Sequence, residues 1–78
     1  MLIKIGVILL YKPSKCLLDN LLNSASDEYE KLSSVTGIPT EKLRAYGNNK
    51  RVMSLSTSKT ICMALDINID DLYEWEQV

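Results

Sequence analysis

Basic residues cluster in the second half of the chain, where they have the chemistry to bind a polyanion. Five of the nine Lys and Arg residues fall within 18 positions, and one acid, Glu41, lies directly before them. The five are Lys42, Arg44, Lys50, Arg51 and Lys59. Both side chains donate hydrogen bonds to phosphate oxygens and, in the major groove of DNA, to guanine O6 and N7. From spacing alone, the cluster fits either a phosphate-binding patch or an ordinary solvated surface.

The overall charge argues against nucleic acid, whereas its distribution argues for it. The formal net charge is −1 and the pI about 5.2. Residues 66–78 carry five acids and no base. A distant acidic segment does not cancel a local basic patch beyond a Debye length of roughly 10 Å at 0.1 M salt.

The sequence has few of the residues and motifs that catalysis or metal binding requires. The chain has no His, and its two cysteines lie 46 positions apart without a C-x-x-C pair. Motifs for a phosphate loop or an activated serine are also missing. We therefore predict no enzymatic activity, no cofactor and no metal site. Cys16 and Cys62 are expected to be small buried hydrophobes in a reducing cytoplasm.

A chain of 78 residues forms one domain, preceded here by an apolar segment. We assign residues 1–12 to an N-terminal apolar arm or strand and residues 13–78 to the folded domain. The apolar run 5–10 is too short to span a bilayer and lacks a signal-peptide cleavage site. A cytoplasmic protein that does not enter a membrane is expected.

Five short helices are expected beyond the arm, which predicts an all-α, compact five-helix bundle. Ser14 is a candidate cap for the first, whose apolar stripe is Leu17, Leu18, Leu21 and Leu22. Ser54 or Ser56 is a candidate cap for the fourth, with Ile61, Cys62, Ala64 and Leu65 inside and Asp66 at its end. Asn68 is expected to cap the fifth, from Ile69 to about Glu76, where Tyr73 and Trp75 either cover the bundle end or join a dimer interface.

The second and third helices are joined by a tight turn. The second is expected to begin at Ser26 or Asp27, with Asp27 and Glu30 as a capping box, and to end at Gly37. Tyr29, Leu32 and Val35 supply its inner face. The third opens at Pro39 or Thr40 and turns Leu43 and Tyr46 inward before a loop at residues 47–49. A helix, a glycine turn and a short helix with a polar outer face form a helix-turn-helix suited to the major groove.

In this region the chain resembles the Cro and lambda-repressor type, also called the XRE type, of helix-turn-helix domain. The likeness runs without gaps from about Leu32 to Tyr73. It includes Leu-x-x-x-Thr-Gly-Ile, the Asn-Asn-Lys-Arg loop, Lys-x-Ile-Cys-x-Ala-Leu and Asp-Ile-Asn-Ile-Asp-Asp-Leu-Tyr. The match is best with compact members that consist of the DNA-binding domain alone.

The resemblance implies a role for each outward residue of the third helix and of the loop after it. Base readout in the major groove would fall on Thr40, Glu41 and Lys42, although Glu41 is equally suited to the helix dipole. Arg44 and Ala45 would touch the next bases or the backbone. The DNA phosphates would be bound by the loop residues Asn48, Asn49, Lys50 and Arg51.

Two functions follow as hypotheses. The first is a sequence-specific DNA-binding transcriptional regulator that inserts the helix at 39–47 into the major groove of double-stranded DNA. It is expected to act as a homodimer, because one recognition helix contacts too few base pairs to be selective. The alternative is an antirepressor-like module that binds a protein partner. The acidic pI, the small side chain of Ala45 and the apolar arm at 2–10 favour it.

Overall fold

The computed structural model describes residues 10–78, and most of the arm or strand expected over residues 1–12 lies outside them. The order of elements is β1 (Tyr11–Cys16), α1 (Leu18–Leu21), α2 (Ser26–Thr36), α3 (Thr40–Gly47), α4 (Leu55–Leu65), α5 (Ile69–Leu72) and β2 (Tyr73–Gln77). The described chain is therefore mostly helical with five helices, as predicted. The all-α class is only partly correct, because β1 and β2 add a small sheet to the helices.

The sheet is an antiparallel ribbon that joins the two ends of the described chain. Tyr11 pairs with Gln77 and Cys16 with Tyr73, with an irregular register between Pro13 and Lys15. The last helix consequently ends at Leu72 rather than near Glu76. The alternation of Tyr73 and Trp75 with glutamates suits a strand once a partner strand is available. The proposed boundary between residues 12 and 13 falls inside β1.

Most of the expected helix ends are confirmed. Gly37 closes α2 in the left-handed conformation at φ 75°, and Asp66 closes α4 at φ 55°. Ser54 caps α4 by accepting a hydrogen bond from the Thr57 N–H. Asn68 and Asp71 form a capping box on α5.

Two expected caps are wrong. Ser14 lies in β1, and α1 begins at Leu18 without a side-chain cap. Asp27 and Glu30 form no capping box, because α2 begins at Ser26, one of the two predicted starts, and Asp27 is already inside its first turn. This start leaves Ala25 in the cap position, and its methyl side chain accepts no hydrogen bond.

Each helix contributes a fully or nearly fully buried side chain to one core. These side chains are Leu18, Tyr29, Leu43, Ile61 and Leu72. Cys16 and Cys62 are buried free thiols, as expected.

The predictions for two inward positions were wrong. Val35 is 73% exposed and Ala64 is also exposed. Val35 is six residues after Tyr29, which at about 100° per residue turns it some 120° away from the buried face of α2. Ala64 similarly lies to one side of the stripe formed by Ser58, Ile61 and Leu65.

Tyr29 of α2 connects three helices. Its hydroxyl donates a hydrogen bond to Asp19 Oδ1 of α1 at 2.6 Å. The Ser24 hydroxyl donates to Asp19 Oδ2 at the same distance. These bonds, that of Ser24 first, lower the pKa of the Asp19 carboxyl. Burial, followed by the bond and the charge of Asp19, raises the pKa of Tyr29, so its hydroxyl stays protonated as the donor.

The other side of this contact is Gly47, the buried last residue of α3. A Cβ at this position would meet the Tyr29 hydroxyl and lie 3.3 Å from Tyr29 Cζ. Glycine is therefore required by the close approach of α3 to Tyr29.

Gly47→Ala is expected to lower the free energy of unfolding by about 1–3 kcal/mol, because the added methyl overpacks a fixed ring. Urea unfolding followed by circular dichroism measures this change. Ser34→Ala, at an exposed position of α2, is the control and should stay within about 0.5 kcal/mol of the parent. A Gly47→Ala protein as stable as the parent would contradict the assigned contact.

Asp19→Asn is expected to reduce the loss of stability that occurs at acid pH. The folded-state pKa of Asp19 lies below its unfolded value, so the ionised carboxylate stabilises the fold above the unfolded pKa. This stabilisation is lost as the pH falls through the folded pKa. Urea unfolding from about pH 5 to about pH 2 should show a larger loss for the parent than for Asp19→Asn. If both proteins lost the same free energy of unfolding as the pH falls, Asp19 would make no contribution to the pH dependence of stability.

Candidate nucleic-acid interface

The turn between α2 and α3 is fixed by hydrogen bonds from its own polar side chains. The Ser33 hydroxyl donates to the Ile38 carbonyl at 2.5 Å. The Ile38 N–H donates to Thr36 Oγ1 at 3.2 Å, and that hydroxyl donates to the Leu32 carbonyl at 2.8 Å. With Gly37 in the left-handed conformation, these bonds set the path of the chain from α2 into α3.

The α3 helix has one buried side and one accessible side. Leu43 is fully buried and Tyr46 is 7% exposed, as predicted. Glu41 and Lys42 are exposed, whereas Thr40 and Ala45 are half-buried. Eight residues make a helix about 12 Å long. Its accessible side thus presents one carboxylate and one ammonium group in the first turn.

The loop after α3 folds back on the end of that helix. The Asn48 N–H donates to the Arg44 carbonyl at 2.8 Å, and the Lys50 N–H donates to the Ala45 carbonyl at 2.9 Å. Asn48, Asn49, Lys50 and Arg51 are all exposed. The structure therefore places the predicted phosphate-contacting residues directly beside the last turn of α3.

The ribbon fixes the same loop from the other side. Asn49 adopts φ 61°, and its Oδ1 accepts a hydrogen bond from the Cys16 N–H at 2.7 Å. The Met53 N–H donates to the Tyr73 hydroxyl at 3.1 Å. The side-chain carbonyl of Asn49 is thus occupied in positioning the loop, which sequence reasoning did not anticipate.

Arg44 reaches back from α3 to α2 rather than outward. Its Nη2 donates to the Ser26 hydroxyl at 2.9 Å, and its guanidinium carbon lies 4.8 Å from the centroid of the Tyr29 ring. The positive charge of Arg44 also helps to lower the Asp19 pKa. Ser26 and Tyr29 were not recognised as part of the site, because no local pattern relates them to a residue 15 or more positions away.

The remaining basic residues of the interface have no acidic partner in the described chain. The ion pairs within residues 10–78 join Lys12 to Glu76 at 2.9 Å and Lys31 to Glu28 at 3.3 Å. Lys42, Lys50 and Arg51 belong to neither pair. Lys59 lies apart from them, on α4, where it lines a groove with Met63 and Ile69. Three accessible cations therefore remain on α3 and the following loop.

No group of three or more potential metal ligands occurs within residues 10–78. None of the helices in this part of the chain is long and apolar enough to cross a membrane.

The chain was compared with solved structures, with known proteins and with protein families. No solved structure matches the chain. The SPbeta prophage-derived uncharacterized HTH-type transcriptional regulator YopS of Bacillus subtilis (strain 168) is 38% identical over 63 residues, which cover 80% of this chain and 85% of YopS. The Cro/C1-type HTH DNA-binding domain matches residues 18–77, from the start of α1 to the end of β2. The chain therefore belongs to the Cro/C1-type helix-turn-helix DNA-binding family.

Proposed function

We propose that this protein is a small transcriptional regulator that binds double-stranded DNA by placing α3 in the major groove. The observation that carries the proposal is the set of three accessible cations, Lys42, Lys50 and Arg51, on α3 and the loop fixed to its end. Membership of a DNA-binding family and the similarity to a transcriptional regulator of a prophage support it. Such a protein acts by occupying DNA and needs no catalytic group.

The two ends of α3 have different tasks in this proposal. Its first turn, with Thr40, Glu41 and Lys42, supplies base contacts, since lysine donates to guanine and glutamate accepts from cytosine N4. Ala45 offers a methyl group for apolar contact with a thymine methyl. Asn48, Lys50 and Arg51 bind phosphate, as does the free amide N–H₂ of Asn49. The loop therefore sets the position of α3 on the duplex, and the first turn supplies selectivity.

Two copies of the chain are needed for selective binding. One α3 helix reaches only a few base pairs, and dimers of helix-turn-helix proteins bind half-sites about one turn of DNA apart. We therefore propose a homodimer on a palindromic site.

Capture of sheared genomic DNA by the purified protein, followed by sequencing at two salt concentrations, tests the proposal. Enrichment of a short palindrome that persists at the higher salt is expected. Binding that vanishes uniformly as salt rises would show phosphate contact without base readout. Absence of any enrichment would contradict the proposal.

Lys50→Gln and Arg51→Gln are each expected to weaken binding equally for the selected site and a scrambled one. Each variant should reduce the slope of log Kd against log salt by about 0.9, the value for one phosphate contact on B-DNA. Fluorescence anisotropy at four or more salt concentrations measures the slope.

Lys31→Gln is the matched control for these variants. Lys31 is also exposed but lies on α2 in an ion pair with Glu28, and its removal should leave the slope unchanged. A loss of affinity that differs between the selected and scrambled sites would instead assign base readout to the loop.

A second candidate function is binding of a protein partner, favoured by an apolar surface away from α3. A groove of about 390 Å³ runs between α4 and α5. On its walls, Leu55 is 81% exposed, Met63 68% and Ile69 38%. Contiguous exposed apolar side chains are typical of protein-binding surfaces. This α4–α5 groove suits a second copy of the chain or another protein.

Met63→Lys tests the groove, because a buried lysine there would oppose association with an apolar partner surface. If the groove forms the homodimer contact, sedimentation equilibrium should show at least a tenfold weaker dimer for Met63→Lys. Val35→Lys, at a similarly exposed apolar position on α2, is the control and should leave the dimer unchanged. An unchanged dimer in Met63→Lys would exclude the groove as that contact.

A further inference from the structure

The side chain of Arg44, on α3, contacts two residues of α2. Its guanidinium lies over the face of Tyr29 at 4.8 Å and donates to the Ser26 hydroxyl at 2.9 Å. Both partners belong to α2. Ser26 is the first residue of α2, and Tyr29 lies one turn further along that helix. The side chain of Arg44 therefore crosses from α3 to the N-terminal part of α2.

The surface that holds Arg44 is itself fixed. Tyr29 is 1% exposed, and its hydroxyl donates to Asp19 at 2.6 Å. The ring edge is packed against the backbone of Gly47. The ring face therefore has a defined orientation before any ligand binds, and stacking on it limits the orientations of the guanidinium.

The guanidinium retains most of its binding capacity in this position. Arginine has five N–H donors in a planar fork, and the contact with Ser26 uses one of them. Two parallel N–H groups match two oxygens of one phosphate, an arrangement that a fixed guanidinium forms at little entropic cost. Arg44 is half-buried and so still accessible.

We propose that Ser26 and Tyr29 are positioning residues that hold the Arg44 guanidinium on the α2 side of the recognition helix, where it binds a DNA phosphate rather than a base edge. The inference rests on the proposed DNA-binding function. It assigns to α3 a phosphate contact beside the N-terminal part of α2, in addition to the contacts of the loop after α3. Base selectivity then falls on the first turn of α3 and on Ala45.

A double-mutant cycle between Ser26 and Arg44 tests the inference. Arg44→Gln should weaken binding to the selected and scrambled sites by the same factor and reduce the salt slope by about 0.9. Ser26→Ala should weaken binding about threefold in the parent, which corresponds to the low end of the range for loss of one hydrogen bond, since this bond is exposed to solvent. In the Arg44→Gln background, Ser26→Ala should have no further effect.

Two further variants separate positioning from stability. Ser26→Thr keeps the hydroxyl and should restore parent-like affinity. Ser34→Ala changes another exposed serine of α2 and should leave affinity unchanged in both backgrounds. Thermal unfolding of every variant shows whether the fold is intact under the binding conditions.

Three results would overturn the inference. Additive effects of Ser26→Ala and Arg44→Gln would show that Ser26 does not act through Arg44. Relaxed selectivity at one base pair in Arg44→Gln would assign Arg44 to base readout. A parent protein that binds no DNA would overturn the proposed function and this inference together, whereas the first two results leave DNA binding intact.

Discussion

The position of α3 depends on the contact between Tyr29 and Gly47. The Tyr29 hydroxyl is bonded to Asp19 of α1, the ring edge meets α3 at Gly47, and the ring face carries Arg44. One buried side chain therefore relates the first three helices to one another. A larger residue at position 47 would move α3 relative to α2, and with it every group proposed to touch DNA.

The ribbon is the second constraint, and it acts on the loop after α3. Cys16 holds Asn49 through its backbone N–H, and Tyr73 accepts a bond from Met53. The two strands thus hold Asn49 and Met53, which lie on either side of Lys50 and Arg51. Residues 11–17 precede the region matched by the family, yet they supply the contact to Asn49. The described part of the N-terminal segment therefore belongs to the structural support of the site.

The sequence predicted the features that depend on local chemistry. Gly37, Ser54 and Asn68 each mark a helix end through backbone conformation or a nearby hydrogen bond, and all three were identified. The second strand was missed because its partner lies about 60 positions away, and a five-residue alternating run also fits a short helix. The contacts of Arg44 and Asn49 were missed for the same reason, since they join segments that only the tertiary fold brings together.

The net charge of the protein is acidic, but the charges close to α3 decide how it interacts with DNA. Part of the C-terminal acidic charge is used internally, because Glu76 pairs with Lys12 across the ribbon and Asp71 caps α5. Lys42, Lys50 and Arg51 have no such partner within residues 10–78. A phosphate within a Debye length of about 10 Å responds mainly to these local charges. The net charge of −1 therefore limits nonspecific attraction to DNA at long range, and in the proposed mode of binding the affinity comes from short-range contacts of α3 and its loop.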